Sequence, residues 1–471
     1  MQTRLTDRVV SRLSPFINIT RHSAWLLLSL SVSSIASADT LSSLAVLAFD
    51  EPSIQSAIAD QQAARARQQQ ALGALLPQIN ATANTQANQR TYETRNSPFL
   101  SEEKDRYNSH SWQVNLTQPL WRYNLWADKA QAKAQFNQAQ FQLTAIEQNT
   151  LAKLSEAWFE LLMARDQVLF SQAQERTATE QQRMVERGLS VGLYGLPDQQ
   201  EALSKLYQAQ SDTFAAQQEV SIKQAALSTL IGSHSVALPH LDLAAGNGHL
   251  SSVLDQYPLA KWLTMVEATN ADIQSAYYAQ EAAREEVGKQ LAGYLPSVDI
   301  VASYGSNSQA IGGFPGQNGY DIGQHYVGLQ ANWGLWSSGV QTAKVKEMNA
   351  RLYKAEQALE TAKRNARFNT QQAWYNAQIG LAKQHSAEQD IQAAQSRLQA
   401  SQQGQHLGLK FSLDSLQAQQ QLATAQRDYK KAVYQQLLAF IKLQVQASLL
   451  TPKDILRVDA LFNDAIKAET P

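Results

Sequence analysis

The sequence predicts a mainly α-helical, internally duplicated chain carrying four amphipathic β-strands suited to a transmembrane β-barrel. Three observations lead there. Two very long stretches almost lack proline and glycine, segments with strict two-residue alternation precede each of them, and one half of the chain repeats the order of the other.

At the N-terminus, Arg4, Arg8, Arg12 and Arg21 precede the apolar run "AWLLLSLSVSSI" (24–35) and the small-residue pattern Ala36-Ser37-Ala38. Residues 1–38 therefore read as a secretory signal with a long basic leader. A membrane anchor would need about 20 apolar residues, more than this run supplies. Four of the 40 basic residues and one of the 41 acidic ones fall in this segment, leaving 36 against 40 in the mature chain. The expectation is an exported, mildly acidic protein that does not take nucleic acid as a partner. With no cysteine it has neither a lipidated N-terminus nor disulfides. No later stretch is apolar enough for a transmembrane helix, which leaves a soluble exported protein or a β-barrel.

The duplication sets the layout. "ALLPQINATAN" (74–84) recurs as "GYLPSVDIVAS" (293–303), with Pro77 and Pro296 separated by 219 positions. "EAWFEL" (156–161) answers "QAWYNA" (372–377), and "VGLYGLPDQQEA" (191–202) answers "LGLKFSLDSLQA" (407–418), both at an offset of 216. The first structural repeat is expected over 39–253, with a strand hairpin at 78–121 and a helix break at about 188–198. The second is expected over 254–450, with a hairpin at 297–336 and a break at about 404–413, and 451–471 closes the chain.

In the first hairpin Ile79, Ala81 and Ala83 alternate with Asn80, Thr82 and Asn84, and Trp112, Val114 and Leu116 alternate with Gln113, Asn115 and Thr117. In the second, Val298, Ile300, Ala302 and Tyr304 oppose Ser297, Asp299 and Ser303, while Val327, Leu329 and Ala331 oppose Gly328, Gln330 and Asn332. Strands of about 10–12 residues suit a tilted bilayer crossing with lipid on one face and water on the other. Trp112, Trp121, Tyr123 and Trp126 in the first half, and Tyr320, Tyr326, Trp333 and Trp336 in the second, gather at the strand ends as interfacial aromatics do. Alternation alone also fits a soluble sheet with one buried face; the export signal and the aromatic clusters favour the membrane. Four strands do not close a barrel, since an open edge cannot sit in lipid, so the chain must oligomerise. Two copies give eight strands and three give twelve, and composition does not choose.

The helical stretches run from Trp121 to about Gly188 and from Val340 to about Gln403, the latter interrupted only by Gly380, and each spans roughly 100 Å. Leu151, Leu154, Trp158, Leu161, Leu162, Val168 and Leu169 recur at spacings of three and four, as do Leu413, Leu416, Tyr429, Val433, Leu437, Phe440 and Ile441. Each break has its own local chemistry. Gly192 and Gly195 permit φ > 0 and Pro197 fits a helix's first turn. Asp198 then sits where a carboxylate favours the helix N-terminus.

No catalytic constellation stands out. "GGFPGQNGYDIG" (312–323) joins two strands and lacks the helix and Lys-Ser/Thr of a phosphate cradle, so it and residues 94–110 read as extracellular loops. His234, His240 and His249 lack ligand spacing. No enzymatic activity, cofactor or metal is expected.

In this order the segments resemble the TolC family of outer-membrane efflux and export ducts, over essentially the whole mature chain. The resemblance rests on the paired "LLPQI" and "YLPSV" entries to the hairpins, the "TQPLW" and "NWGLW" exits, the "AWFEL" segment, and the two Gly-Leu breaks with an aspartate six residues after the glycine. "ASLLTPKDI" (447–455) approximates the family's ending. It implies a homotrimer with one twelve-stranded barrel in the outer membrane, continued by an α-barrel across the periplasm. About 233–258 and 451–471 would form an equatorial belt. It further implies a passive channel that works with a periplasmic adaptor and an inner-membrane ABC or RND-type pump, moving drugs, small molecules or proteins outward. The breaks become tip turns, where Val191, Gly192, Leu193, Leu407, Gly408 and Leu409 would receive the adaptor. Asp414 aligns with an acidic entrance residue, Gln417 with a second that is often aspartate, Lys410 with a basic gate residue, and Asp198 with its partner. The competing expectation is a periplasmic coiled-coil scaffold or adaptor without a channel.

Overall fold

The computed structural model describes residues 40–93, 102–232, 257–313, 317–406, 412–451, 454–456 and 458–459. In chain order they form α1 (Leu41–Leu47), a 3-10 turn (Ala48–Asp50), α2 (Pro52–Gly73), β1 (Gln78–Glu93), β2 (Glu102–Trp121), α3 (Tyr123–Ser190) and α4 (Leu196–Ile231). Then follow α5 (Leu259–Thr269), α6 (Ala271–Leu291), a 3-10 turn (Ala292–Tyr294), β3 (Ser297–Ile311), β4 (Asn318–Asn332), α7 (Val340–His406) and α8 (Ser412–Gln446). The order repeats as the sequence requires. The described residues fall into two compact units, each drawing on both repeats: a helical unit from within Met1–Ser56, Thr144–Asn270 and Ala366–Pro471, and a sheet unit from within Ala57–Leu143 and Ala271–Asn365.

In the sheet unit the strands pair antiparallel in the order β1-β2-β3-β4, leaving β1 and β4 as open edges. Directly paired residues share a face, so the register assembles each face as rows. Ile79, Leu116, Ala302 and Val327 form one row and Ala81, Val114 and Tyr304 another; Asn80, Asn115 and Ser303 line the opposite face. Toward the end of β2 the register slips between Pro119 and Trp121. Proline has no N–H for the ladder, and skipping Leu120 turns Trp121 onto the apolar face opposite Val298.

The strands are longer than expected, with 16, 20, 15 and 15 residues. Residues 102–111 are polar on both faces and so lack the alternation that marks a strand, yet they pair along β1 from Asn84 to Glu93. Trp112 consequently lies within β2 rather than at its end. The segment from Trp112 to Trp121 is the ten-residue, aromatic-bounded stretch that matches a bilayer crossing.

The helical unit has a conventional core. Leu151, Leu154, Trp158, Phe159 and Leu161 of α3 meet Leu227 of α4 and Val433, Tyr434, Leu437 and Ile441 of α8, with Leu41 and Leu44 of α1 closing the cluster. Leu169, expected in this stripe, is exposed, and Phe170 is buried instead beneath the Arg427 guanidinium, 4.2 Å from its ring centroid. Beyond the core, small buried residues recur every seven positions. On α4 they are Ala202, Ala209 and Ala216; on α8, Ala418, Ala425, Ala432 and Ala439; on α7, Ala366, Ala373, Ala387 and Ala394. Gly380 completes the α7 series, where a Cβ would stand 2.9 Å from the Gln436 Cβ. A strict seven-residue repeat of small residues is how long helices supercoil at close range. It also lets α7, 67 residues and about 100 Å long, pack without a large apolar stripe, whereas α3, with 68 residues, carries one through Leu151, Leu154 and Trp158.

Candidate channel-forming site

Two features carry functional chemistry, a sheet with its apolar face outward and the turns that end the long helices. The sheet reverses the usual burial. Val327 is 78% and Leu329 72% exposed, and Ile79, Trp112 and Tyr304 stand open beside them. Among the described strand residues only Asp299 and Ser303 are buried, and both lie on the polar face. That face is knitted by side-chain hydrogen bonds: the Gln113 amide donates to Ser303 Oγ (2.7 Å), Ser111 to Asn84 (2.7 Å) and Asn88 to Ser109 Oγ (2.8 Å). On the apolar face the Trp112 and Tyr304 rings meet edge-on at 5.4 Å.

Where the strands pass into helices, ion pairs replace apolar packing. The Arg122 guanidinium forks onto the Asp299 carboxylate, Nε at 2.7 Å and Nη2 at 2.5 Å, joining the exit of β2 to the entry of β3. Asp299 sits opposite Pro119, which has no N–H to offer. One turn into α3, the largely buried Asp128 accepts from Arg67 of α2 (2.7 Å) and Lys289 of α6 (2.9 Å). Burial pushes its carboxyl upward, but the hydrogen bonds and charges of Lys289 and Arg67 win and hold it below the ordinary carboxylate value. Sequence reading missed both clusters, because their members come from elements far apart in the chain. Trp121, Tyr123, Trp126, Trp333 and Trp336 are all exposed at this same end of the sheet.

The first turn is fully described. Gly192 has φ +81°, its N–H donates to Leu189 O (3.1 Å), and the Leu193 N–H reaches back to Gly188 O (2.8 Å). This is the Schellman stop, with glycine at the left-handed position. The Tyr194 ring lies so close over Gly188 that a Cβ there would collide with it. At the start of α4, Pro197 occupies the first turn and the Asp198 carboxylate accepts from the Gly195 N–H at 2.8 Å. Asp198 thus stands at the helix N-terminus as expected and there makes a specific capping hydrogen bond. Val191, Leu193 (77%) and Leu196 are exposed together at this turn, so the expected Val191 and Leu193 are joined by Leu196, a third apolar member of the same quoted segment.

At the second turn, Leu407, Gly408, Leu409 and Lys410 lie outside the described residues. Asp414 is the third residue of α8 as Asp198 is the third of α4, and both are exposed, as is Gln417.

Comparison with known proteins points one way. The family model described as outer membrane efflux protein matches residues 47–233 and again 262–446. The chain is 23% identical over 411 residues to the outer membrane protein TolC of Vibrio cholerae, covering 87% of this chain and 91% of the relative. It is 28% identical over 434 residues to the alkaline protease secretion protein AprF of Pseudomonas aeruginosa, covering 90% and 86%. Among solved structures it is similar to the Campylobacter jejuni CmeC outer membrane channel, with TM-score 0.71, 15% identity and coverage of 95% and 98%.

Proposed function

Because the chain belongs to the outer membrane efflux protein family, we propose that it works as the passive exit duct of a tripartite export assembly. It is an outer-membrane channel of the efflux and type I secretion class, reaching into the periplasm, and its family members are channels rather than enzymes. In this reading three copies close a twelve-stranded barrel, a periplasmic adaptor docks at the tip turns, and an inner-membrane ABC or RND-type pump supplies energy and substrate. The observation that carries it is the sheet, whose apolar face is open along strands ending in two unpaired edges. In lipid each unpaired N–H and C=O costs several kcal/mol, so β1 of one copy needs β4 of another.

The tip residues serve the same reading. Val191, Gly192 and Leu193, with Leu407, Gly408 and Leu409, receive the adaptor; Asp414 lines the entrance; and Lys410 links to Asp198 to keep it closed. Protein extracted from outer membranes is expected to run as a heat-modifiable trimer and to form channels in planar bilayers, with higher single-channel conductance for Lys410→Ala. A soluble periplasmic protein without conductance is the outcome expected of the scaffold alternative and overturns the duct. Deleting the protein and measuring both drug susceptibility and secreted protein assigns the cargo.

A further inference from the structure

We propose that the N-terminal turns of α3 and α7 form a collar that binds anionic phospholipid headgroups of the leaflet facing the periplasm. The inference rests on the duct reading, which sets the sheet in the outer membrane with its helix-bearing end toward the periplasm. Trp126 and Lys133, a heptad apart, share one face of α3 with Lys129 between them, whose ammonium lies 5.5 Å from the Trp126 ring centroid. On α7, Val340 and Lys344 share a face one turn apart, and Trp336 precedes them, all exposed. Every one of these residues belongs to the sheet unit.

Four observations commit the collar to an anionic lipid. First, none of the three lysines has an ion-pair partner among the described residues. The neighbouring carboxylates are already taken, Asp128 by Arg67 and Lys289, Asp299 by Arg122, Glu286 by Lys289, and Glu347 by Arg351. Second, neither helix has an acidic residue in its first turn, whereas α4 opens with Asp198 and α8 with Asp414. The positive ends of the α3 and α7 dipoles, with no carboxylate of their own in the first turn, are left for an outside anion. Third, helical side chains lean toward the N-terminus, here back toward the sheet, so lysines within about 15 Å of the helix starts snorkel to headgroup level. Finally, Trp121 makes the collar continuous with the lipid-facing side of the sheet.

The test uses the full mature protein in detergent and measures binding of phosphatidylglycerol and phosphatidylcholine by native mass spectrometry. Wild type is expected to prefer phosphatidylglycerol roughly tenfold, as several lysines near an anionic surface allow. K129Q/K133Q/K344Q should bring the two lipids within about twofold of each other, while K129R/K133R/K344R keeps the preference. Lys346→Gln, about half a helical turn from Lys344 and so off this face, should leave the preference unchanged. Equal binding of both lipids to wild type, a preference that survives the glutamine variant, or an equal loss in Lys346→Gln overturns the collar. Conductance of the same preparations reports on the duct separately: channels without lipid preference sink the collar alone, and absence of channels in wild type sinks the duct.

Discussion

In the helical unit Trp158, Phe159 and Tyr434 are sealed from solvent, whereas in the sheet unit Ile79, Val327 and Leu329 stand open and the buried residues among the described strand positions are Asp299 and Ser303. The same hydrophobic effect explains both, given two different solvents. Where water surrounds the helices, apolar groups gather inward. Where hydrocarbon is to surround the sheet, apolar groups turn outward and amides and hydroxyls collect on the other side. A burial pattern that would mark a soluble protein as misfolded thus identifies which part of this chain meets lipid.

The largest effect expected from breaking this contrast lies in the helical core. Trp158→Ala, at 1% exposure and in contact with Phe159, should cost about 3–5 kcal/mol, read as a drop in thermal midpoint of the detergent-solubilised protein. The same truncation at Trp336, 86% exposed, should leave that midpoint almost unchanged. Next comes the lipid face: Leu329→Lys should cost about 2–4 kcal/mol of membrane folding, measured by urea titration in vesicles. Gln113→Lys, on the polar face, should insert normally. If both strand variants behave alike, the two faces do not meet different solvents.

The junction clusters rank third. Arg122→Ala leaves the Asp299 carboxylate buried with proline across the ladder, at a cost of about 2 kcal/mol; substituting Asp299→Asn as well should recover part of it. Acid titration separates the units further, because Asp128 and Asp459 are shifted in opposite directions. The Asp128 pKa is depressed, so its contribution is present above the unfolded value of about 3.9 and is lost as pH falls through the lower folded value. Burial raises that of Asp459, against hydrogen bonds from Ser42 and Leu41, so the stability it adds is full below about 3.9 and is lost as pH rises through the higher folded value. Amide exchange, corrected for intrinsic rate, should show α2–α3–α6 loosening in acid for wild type but less so for Asp128→Asn, while α1 tightens.

These contrasts also show which features a sequence can carry. Alternation with period two made the faces of Ile79, Val114 and Leu329 legible, and the duplicated prolines placed both hairpins. The first half of β2 escaped because Glu102 to Ser111 is polar on both faces, so nothing in its pattern separates a strand from a loop. The stripe through Leu151, Leu154 and Trp158 was legible from its three- and four-residue spacing, but Leu169 misled because one apolar residue does not say where the stripe drifts. The Asp459 cap on α1 had no local signal, since Leu41 lies 418 positions away. The Asp128 cluster was hidden likewise, its cations being supplied by two other helices.

At the first helix break the family resemblance implies a gate role for Asp198 and the structure shows a helix cap, and the smallest predicted effect separates the two. Asparagine keeps an oxygen that can accept from the Gly195 N–H but removes the charge, whereas alanine removes both. Asp198→Ala should therefore destabilise the start of α4 by about 1 kcal/mol, seen as faster amide exchange over its first turn, and Asp198→Asn should leave that exchange near wild type. If a charge link to Lys410 holds the entrance shut, single-channel conductance rises in both variants. A rise in Asp198→Ala alone assigns the effect to a frayed helix end, and no rise in either removes Asp198 from the gate. That ordering follows from what each substitution leaves behind: the cap is a hydrogen bond that a neutral amide can supply, and the gate is an ion pair that it cannot.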